Sequence, residues 1–122
     1  MIPKFRAWDK RNKEMIKDVV SIHFNTEMIA TSNLYFYPFK DIELMQSTGL
    51  MDKNGVEIYE GDILERKNNK RTFAKGAVEF IQREACWGVD IFYLKDLYRT
   101  SEVIGNIYEN PELLKGDEHE TI

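Results

Sequence analysis

From Leu44 to Leu64 the chain reads LMQSTGLMDKNGVEIYEGDIL, and this stretch most constrains the fold. A polar turn, Asp52-Lys53-Asn54-Gly55, leads into alternating residues, with Val56, Ile58 and Glu60 on one side and Glu57 and Tyr59 on the other. A second turn at Glu60-Gly61-Asp62 restarts the pattern as Ile63-Leu64. Successive strand residues point to opposite faces, and Asn-Gly between alternating stretches is a hairpin signal. Short strands between glycine turns predict a small antiparallel barrel. Gly61 is expected at positive φ, where only glycine is unstrained, and Asp62 is expected to cap the turn. Asn54, Gly55, Gly61 and Asp62 are therefore read as structural turn residues.

The flanking sequence keeps the period of two. Phe5 and Ala7 share one face and Arg6 and Trp8 the other; a charged turn from Asp9 to Glu14 leads to strand character from Met15 to Phe24. Met28-Ile29-Ala30 and Leu34-Tyr35-Phe36-Tyr37 form another apolar pair, ended by Pro38, which cannot donate to a ladder. Ile42 to Ser47 alternates again. In the second half, Ile63 starts a strand that runs into a polar, basic segment, Arg66–Lys75, read as a long hairpin loop. Ala77–Ile81, Trp87–Tyr93, Leu97-Tyr98 and Val103-Ile104 come next. Gly76, Gly88 and Gly105 are expected at junctions like that of Gly61. The fold class is mainly β, with an N-terminal β-rich extension over residues 1–48, a small barrel over 49–114 and a flexible acidic tail over 115–122. Val56, Ile58, Ile63, Val78, Phe80, Val103 and Ile104 are expected mostly inside the barrel. Leu94–Arg99 is the best helical stretch and is short.

Composition narrows the function. The net charge of −4 argues against a general nucleic-acid coat, which gains affinity by releasing counterions to positive side chains. The charge is uneven: Arg66–Lys75 carries five basic residues and no acidic one, while the last residues are acidic. A single cysteine, Cys86, precludes an internal disulfide and fits a reducing compartment. No apolar run approaches the ~20 residues of a membrane helix, and the N-terminus lacks an apolar signal segment, so a cytoplasmic location is expected.

Four strings stand out together: PKFRAWD (3–9), LMQSTGL (44–50), DKNGVEIYEGDI (52–63) and EVIGNIYENPELL (102–114). In this order they resemble the YopX family of small proteins encoded by bacteriophages and prophages of Gram-positive bacteria. The resemblance implies an SH3-like barrel in the C-terminal half, a phage or prophage origin and hence the cytoplasm of the bacterial host. It implies no activity, because the family is one of unknown function, and it carries over no catalytic residue.

Side-chain constellations weigh little toward catalysis. Asp52, Asn54, Glu57, Glu60 and Asp62 form an oxygen-rich cluster, but Gly55 is fourth from Asp52, whereas a calcium loop of the EF-hand type needs glycine sixth and glutamate twelfth. Turn chemistry accounts for the same residues. Cys86 as a nucleophile would need a base, and only His23 and His119 exist. Those three residues are too scattered for zinc. No catalytic residue, metal ligand or cofactor is expected.

Two surfaces are candidates for binding. Arg66, Lys67, Lys70, Arg71, Phe73 and Lys75 offer positive charge beside an aromatic ring, suited to a phosphate backbone or an acidic partner. Tyr35, Phe36, Tyr37 and Phe39 must point both ways from one strand, so one side needs a second cover and is a candidate oligomer contact. The expected function is a non-catalytic protein-interaction module, the expected partners being a second copy and a host or phage protein; the alternative is a nucleic-acid-associated module using the loop 66–75.

Overall fold

A computed structural model describes residues 3–115. It is mainly β and divides into two compact units, residues 1–47 and 48–122. In the first unit, β1 (Phe5–Asp9) and β2 (Glu14–Ile16) make a hairpin with Ala7 opposite Ile16 and Asp9 opposite Glu14. The hairpin closes because the Asp9 carboxylate accepts the main-chain N–H groups of Arg11 and Asn12 at 3.0 and 3.1 Å. The other edge of β1 pairs with the start of β6 (Ile42–Met51), Phe5 opposite Gln46.

The strand expected across Met15–Phe24 breaks at Lys17-Asp18. Its second half, β3 (Val19–His23), joins β4 (Met28–Thr31) and β5 (Phe36–Pro38) in a separate antiparallel sheet of that order. Asp18 anchors the break by accepting the Ser32 hydroxyl and main-chain N–H. Ala7, Ile16, Ile29 and Ile42 are buried between these elements, with Val19, Ile22, Tyr37, Phe39 and Leu44 packed on them.

In the second unit the continuation of β6 past Thr48 is hydrogen-bonded to β7 (Glu57–Tyr59). The Thr48 hydroxyl donates to the Ile58 carbonyl at 2.7 Å and accepts the Leu50 N–H. Four strands then run as a meander: β8 (Asp62–Asn68), β9 (Arg71–Ile81), β10 (Cys86–Val89) and β11 (Phe92–Tyr93). After a one-turn helix, α1 (Leu94–Leu97), and a 3-10 turn (Tyr98–Thr100), β12 (Glu102–Asn106) pairs with β8. The order is β11-β10-β9-β8-β12, so the fifth strand lies beside the first and the sheet curls. The buried cluster of this unit is made of Ile58, Leu64, Ala74, Val78, Val89, Leu94 and Leu97. A second short helix, α2 (Glu112–Lys115), ends the described residues; the acidic tail beyond Lys115 lies outside them.

Several expectations change. Arg66–Lys75 is not a loop: β8 and β9 extend almost to its centre, and only Asn69 and Lys70 turn, at φ of 53° and 72°. Two consecutive positive φ values are those of a type I′ turn, whose twist matches that of paired strands. Asparagine tolerates this conformation, but lysine gives no sign of it in the sequence. Gly76, Gly88 and Gly105 lie inside β9, β10 and β12 and not at junctions. Of the expected interior, Ile58, Ile63 and Val78 are buried, whereas Val56 and Phe80 are 48% and 45% exposed. Val56 precedes β7 and is held in the turn through its N–H; Phe80 lies near the end of its strand, in a T-shaped contact with Trp87 at 5.1 Å between centroids. Val103 and Ile104 are half-buried, because Val103 pairs with Leu64 and Gly105 with Ile63, which leaves Ile104 as an extra bulge residue.

Candidate functional site

Five polar residues of the four family-like strings, Asp9, Asp52, Asp62, Asn106 and Asn110, accept hydrogen bonds from main-chain partners. Asp52 is 6% exposed; one carboxylate oxygen accepts the N–H groups of Asn54 and Val56, each at 2.9 Å, and the other accepts that of Val103 at 2.9 Å. Burial raises its pKa, but these three hydrogen bonds and neighbouring Lys53 outweigh it and leave the carboxyl below its ordinary value. The same balance lowers Asp9, where hydrogen bonds from Asn12 and Arg11 overcome burial. Asp62, also buried, accepts the Tyr59 N–H at 2.8 Å, and Gly61 between them stands at φ 87°.

The last string is tied in the same manner. The Asn106 side-chain oxygen accepts the N–H groups of Tyr108 and Glu109 at 3.0 and 2.9 Å, and its amide donates to Glu109. The Asn110 side-chain oxygen accepts the Asn106 N–H and occupies the space a Cβ on residue 105 would need, 2.6 Å away. Gly105 is therefore a close-approach glycine. Among the described residues no group of three or more His, Cys, Asp or Glu side chains is placed to hold a metal ion. His23 is in the first unit, its ring 2.9 Å from the Ser21 hydroxyl; Cys86 is half-buried in the second.

The structure separates the members of the basic hairpin. Arg66 stacks over the Phe73 ring, its guanidinium carbon 4.5 Å from the centroid, and Phe73 meets Phe92 at 5.4 Å. Phe73 reaches this position because Arg66 pairs with Ala74 and Lys67 with Thr72, leaving Phe73 as a bulge. On the opposite strand face Glu65 is 3.8 Å from the Lys67 ammonium, accepts the Thr72 hydroxyl and lies across from Lys75. Lys70 and Arg71 stand exposed at the tip. Glu65, adjacent in sequence to the basic run, is the residue that sequence reading left out of this group.

The aromatic run also divides. Tyr37 and Phe39 pack on the buried cluster of the first unit, while Tyr35 and Phe36 are 63% and 54% exposed. They are joined on the surface of that unit by Val20, Phe24 and Leu34, all more than half exposed. Phe36 lies 6.3 Å from His23 and Phe24 is edge-on to Phe39 at 6.3 Å. Val20 and Phe24 were not singled out in the sequence; the bulge at Val20, between the pairs Val19–Thr31 and Ser21–Ala30, turns it out of the alternation.

No helix among the described residues is long and apolar enough to cross a membrane. No curated protein matches the chain. The crystal structure of protein EF1440 from Enterococcus faecalis is similar, with 34% sequence identity and a TM-score of 0.73 over 93% of this chain and 99% of that one. The family model described as YopX protein matches residues 4–115, so the four strings from Lys4 onward and the strands between them lie inside one family pattern, and the chain belongs to the YopX family.

Proposed function

We propose that this YopX protein is a non-catalytic protein-interaction module, a phage or prophage accessory protein acting in the cytoplasm of a bacterial host. One observation carries the reading: Asp9, Asp52, Asp62, Asn106 and Asn110 of the family-like strings are spent on main-chain partners, while Val20, Phe24, Leu34, Tyr35 and Phe36 stand exposed in one unit. Exposed apolar side chains gathered in this way mark contact surfaces. The second unit serves as the scaffold, an SH3-like barrel; the strand order β11-β10-β9-β8-β12 and the 3-10 turn before the last strand support that reading.

The test is affinity capture from the natural host with the full chain as bait, with and without nuclease, against the double variant Tyr35→Asp, Phe36→Asp. Both residues are exposed, so the variant retains its fold. A protein retained by the native chain, insensitive to nuclease and lost from the variant, supports the reading; retention only with nucleic acid present contradicts it.

The second reading, nucleic-acid association, draws on Lys70, Arg71 and the half-exposed Phe73 at the hairpin tip. Glu65 and the Arg66–Phe73 stack reduce the charge on offer. Titration with single-stranded DNA at rising salt separates the two, because phosphate contacts give a steep log–log slope.

A further inference from the structure

The turn between β4 and β5 carries a residue that its backbone does not favour. The Thr31 N–H donates to the Tyr35 carbonyl at 2.9 Å and the Leu34 N–H to the Thr31 carbonyl at 3.0 Å, which leaves Ser32, Asn33 and Leu34 as a three-residue hairpin loop. Such a loop is a type I turn followed by one left-handed residue, a position that suits glycine. Leu34 fills it at φ 65°. For a bulky side chain that conformation is an outlier and is strained. Six other described residues besides glycine have positive φ: Lys13, Glu27, Asn69, Lys70, Ala85 and Asp90. Their side chains carry a charge, an amide or a single methyl group. Leu34 alone adds a branched aliphatic side chain, and that side chain is 79% exposed. Neither the strain nor the exposure serves packing within the unit.

The turn is nevertheless held firmly. The Thr31 hydroxyl donates to the Asn33 side-chain oxygen at 2.5 Å, and Thr31 itself is buried. Asp18 accepts both the hydroxyl and the main-chain N–H of Ser32. The Tyr35 ring lies 6.3 Å from that of Tyr37, which packs on the buried cluster. Leu34 is therefore presented in a fixed direction at the end of a hairpin, with the exposed Tyr35 and Phe36 following it.

We propose that Leu34 is the anchor of the contact surface in the first unit, inserting into a preformed apolar pocket on a folded partner protein. This rests on the interaction-module reading and deepens it, naming the residue that carries the contact and the shape of the partner. Three observations select that occupant. From Ser32 to Phe36 the tip has no charged side chain, so a nucleic acid finds no phosphate contact there. A lipid surface is fluid and favours no particular direction of one side chain, so strain at Leu34 gains nothing there; a shaped pocket favours a side chain fixed in advance. A second copy offers the same convex tip. Tip against tip, the exposed parts of two Leu, two Tyr and two Phe fall below the ~1,200 Å² of weak interfaces, since a whole aromatic side chain buries only about 150–250 Å². A concave partner covers Leu34 on all sides, as the central anchors of interfaces are covered.

The test uses the full chain and the host protein retained in the capture experiment, purified. Leu34→Asn supplies a residue that tolerates positive φ and removes the aliphatic side chain; Leu34→Met keeps an apolar chain at the same backbone cost. Leu34→Asn is expected to raise the melting temperature by roughly 2–5 °C, because strain is relieved, and to weaken binding roughly thirtyfold or more. Leu34→Met is expected to bind within about fivefold of the native chain. With isotope-labelled leucine methyl groups, those of Leu34 should shift on binding and show contacts to apolar protons of the partner, while those of the buried Leu94 and Leu97 hold still. A captured protein bound equally well by Leu34→Asn, or Leu34 methyl groups unmoved by it, overturns the anchor and leaves the interaction-module reading standing on Tyr35 and Phe36. A melting temperature that does not rise in Leu34→Asn overturns the strain on which the proposal rests. Binding to phosphatidylcholine vesicles, or a dimer seen by light scattering, that is lost in Leu34→Asn overturns the choice of partner. Capture of no protein by the native chain removes the interaction-module reading itself, and the anchor with it.

Discussion

The Asp52 carboxylate accepts the Val103 main-chain N–H at 2.9 Å across 51 residues of sequence. This bond ties the turn between β6 and β7 to the last strand of the curled sheet, and two neighbouring contacts reinforce it: the Lys53 N–H donates to the Ser101 carbonyl and the Asn54 amide to Glu102. Because the carboxyl titrates below its ordinary value of 3.8, its contribution is fully present above that value and is lost as pH falls through the lower folded pKa. Asp52→Asn keeps an oxygen for Asn54 and Val56 but turns an N–H₂ toward the Val103 N–H. The variant is expected to lose roughly 2 kcal/mol or more at neutral pH and to show a flatter loss of stability on acidification than the native protein. Urea unfolding between about pH 3 and pH 7 checks this; parallel pH curves for the two proteins would refute the role of the charge.

Gly61 carries the second prediction. At φ 87° its N–H donates to the Val78 carbonyl and its carbonyl accepts the Ile107 N–H, so the turn cannot relax without breaking both bonds. Gly61→Val should destabilise the protein by more than ~1 kcal/mol. An unchanged melting temperature contradicts this.

Pro38 guards one edge. It sits at φ −69° and ψ 148°, a conformation open to valine. Pro38→Val should keep the fold and supply the missing outward donor on β5. The expected outcome is concentration-dependent association beyond that of the native chain, seen by light scattering, since an exposed strand edge with its donor restored is a template for pairing. A mass distribution identical to that of the native chain would show that the proline does not limit assembly.

Turn chemistry also predicts indifference to metals. Asp52 and Asp62 are committed to main-chain N–H groups, and no cation need be invoked to hold their turns. Calcium, magnesium and zinc should leave the melting temperature unchanged; a saturable rise at micromolar metal would contradict this assignment.

The sequence made the turns legible where chemistry demands particular residues. Gly61 and Asp62 announce their conformation, as does Pro38 at the end of β5, because φ above zero, a side-chain acceptor and a missing N–H have few substitutes. Bulges were not legible. At Val20, Phe73 and Ile104 one extra residue shifts the alternation, so counting by twos assigns the wrong side to the residues after each bulge. Nor was the Asn69-Lys70 turn visible, since its conformation is imposed by the pairing of β8 and β9 and not by glycine. The exposed surface was found only in part: Tyr35 and Phe36 lie on it, whereas Tyr37, paired with Ile29 across β5 and β4, and Phe39, in the turn after β5, pack on the buried cluster.

The most direct test of a contact surface in the first unit is hydrogen exchange of the full chain, alone and with the captured host protein added in excess. The amides along residues 19–36 should gain protection on addition, while the hairpin tip at Asn69-Lys70 should not change. Exchange along residues 19–36 that is unaltered by the bound protein, or protection confined to the hairpin tip, would contradict the account.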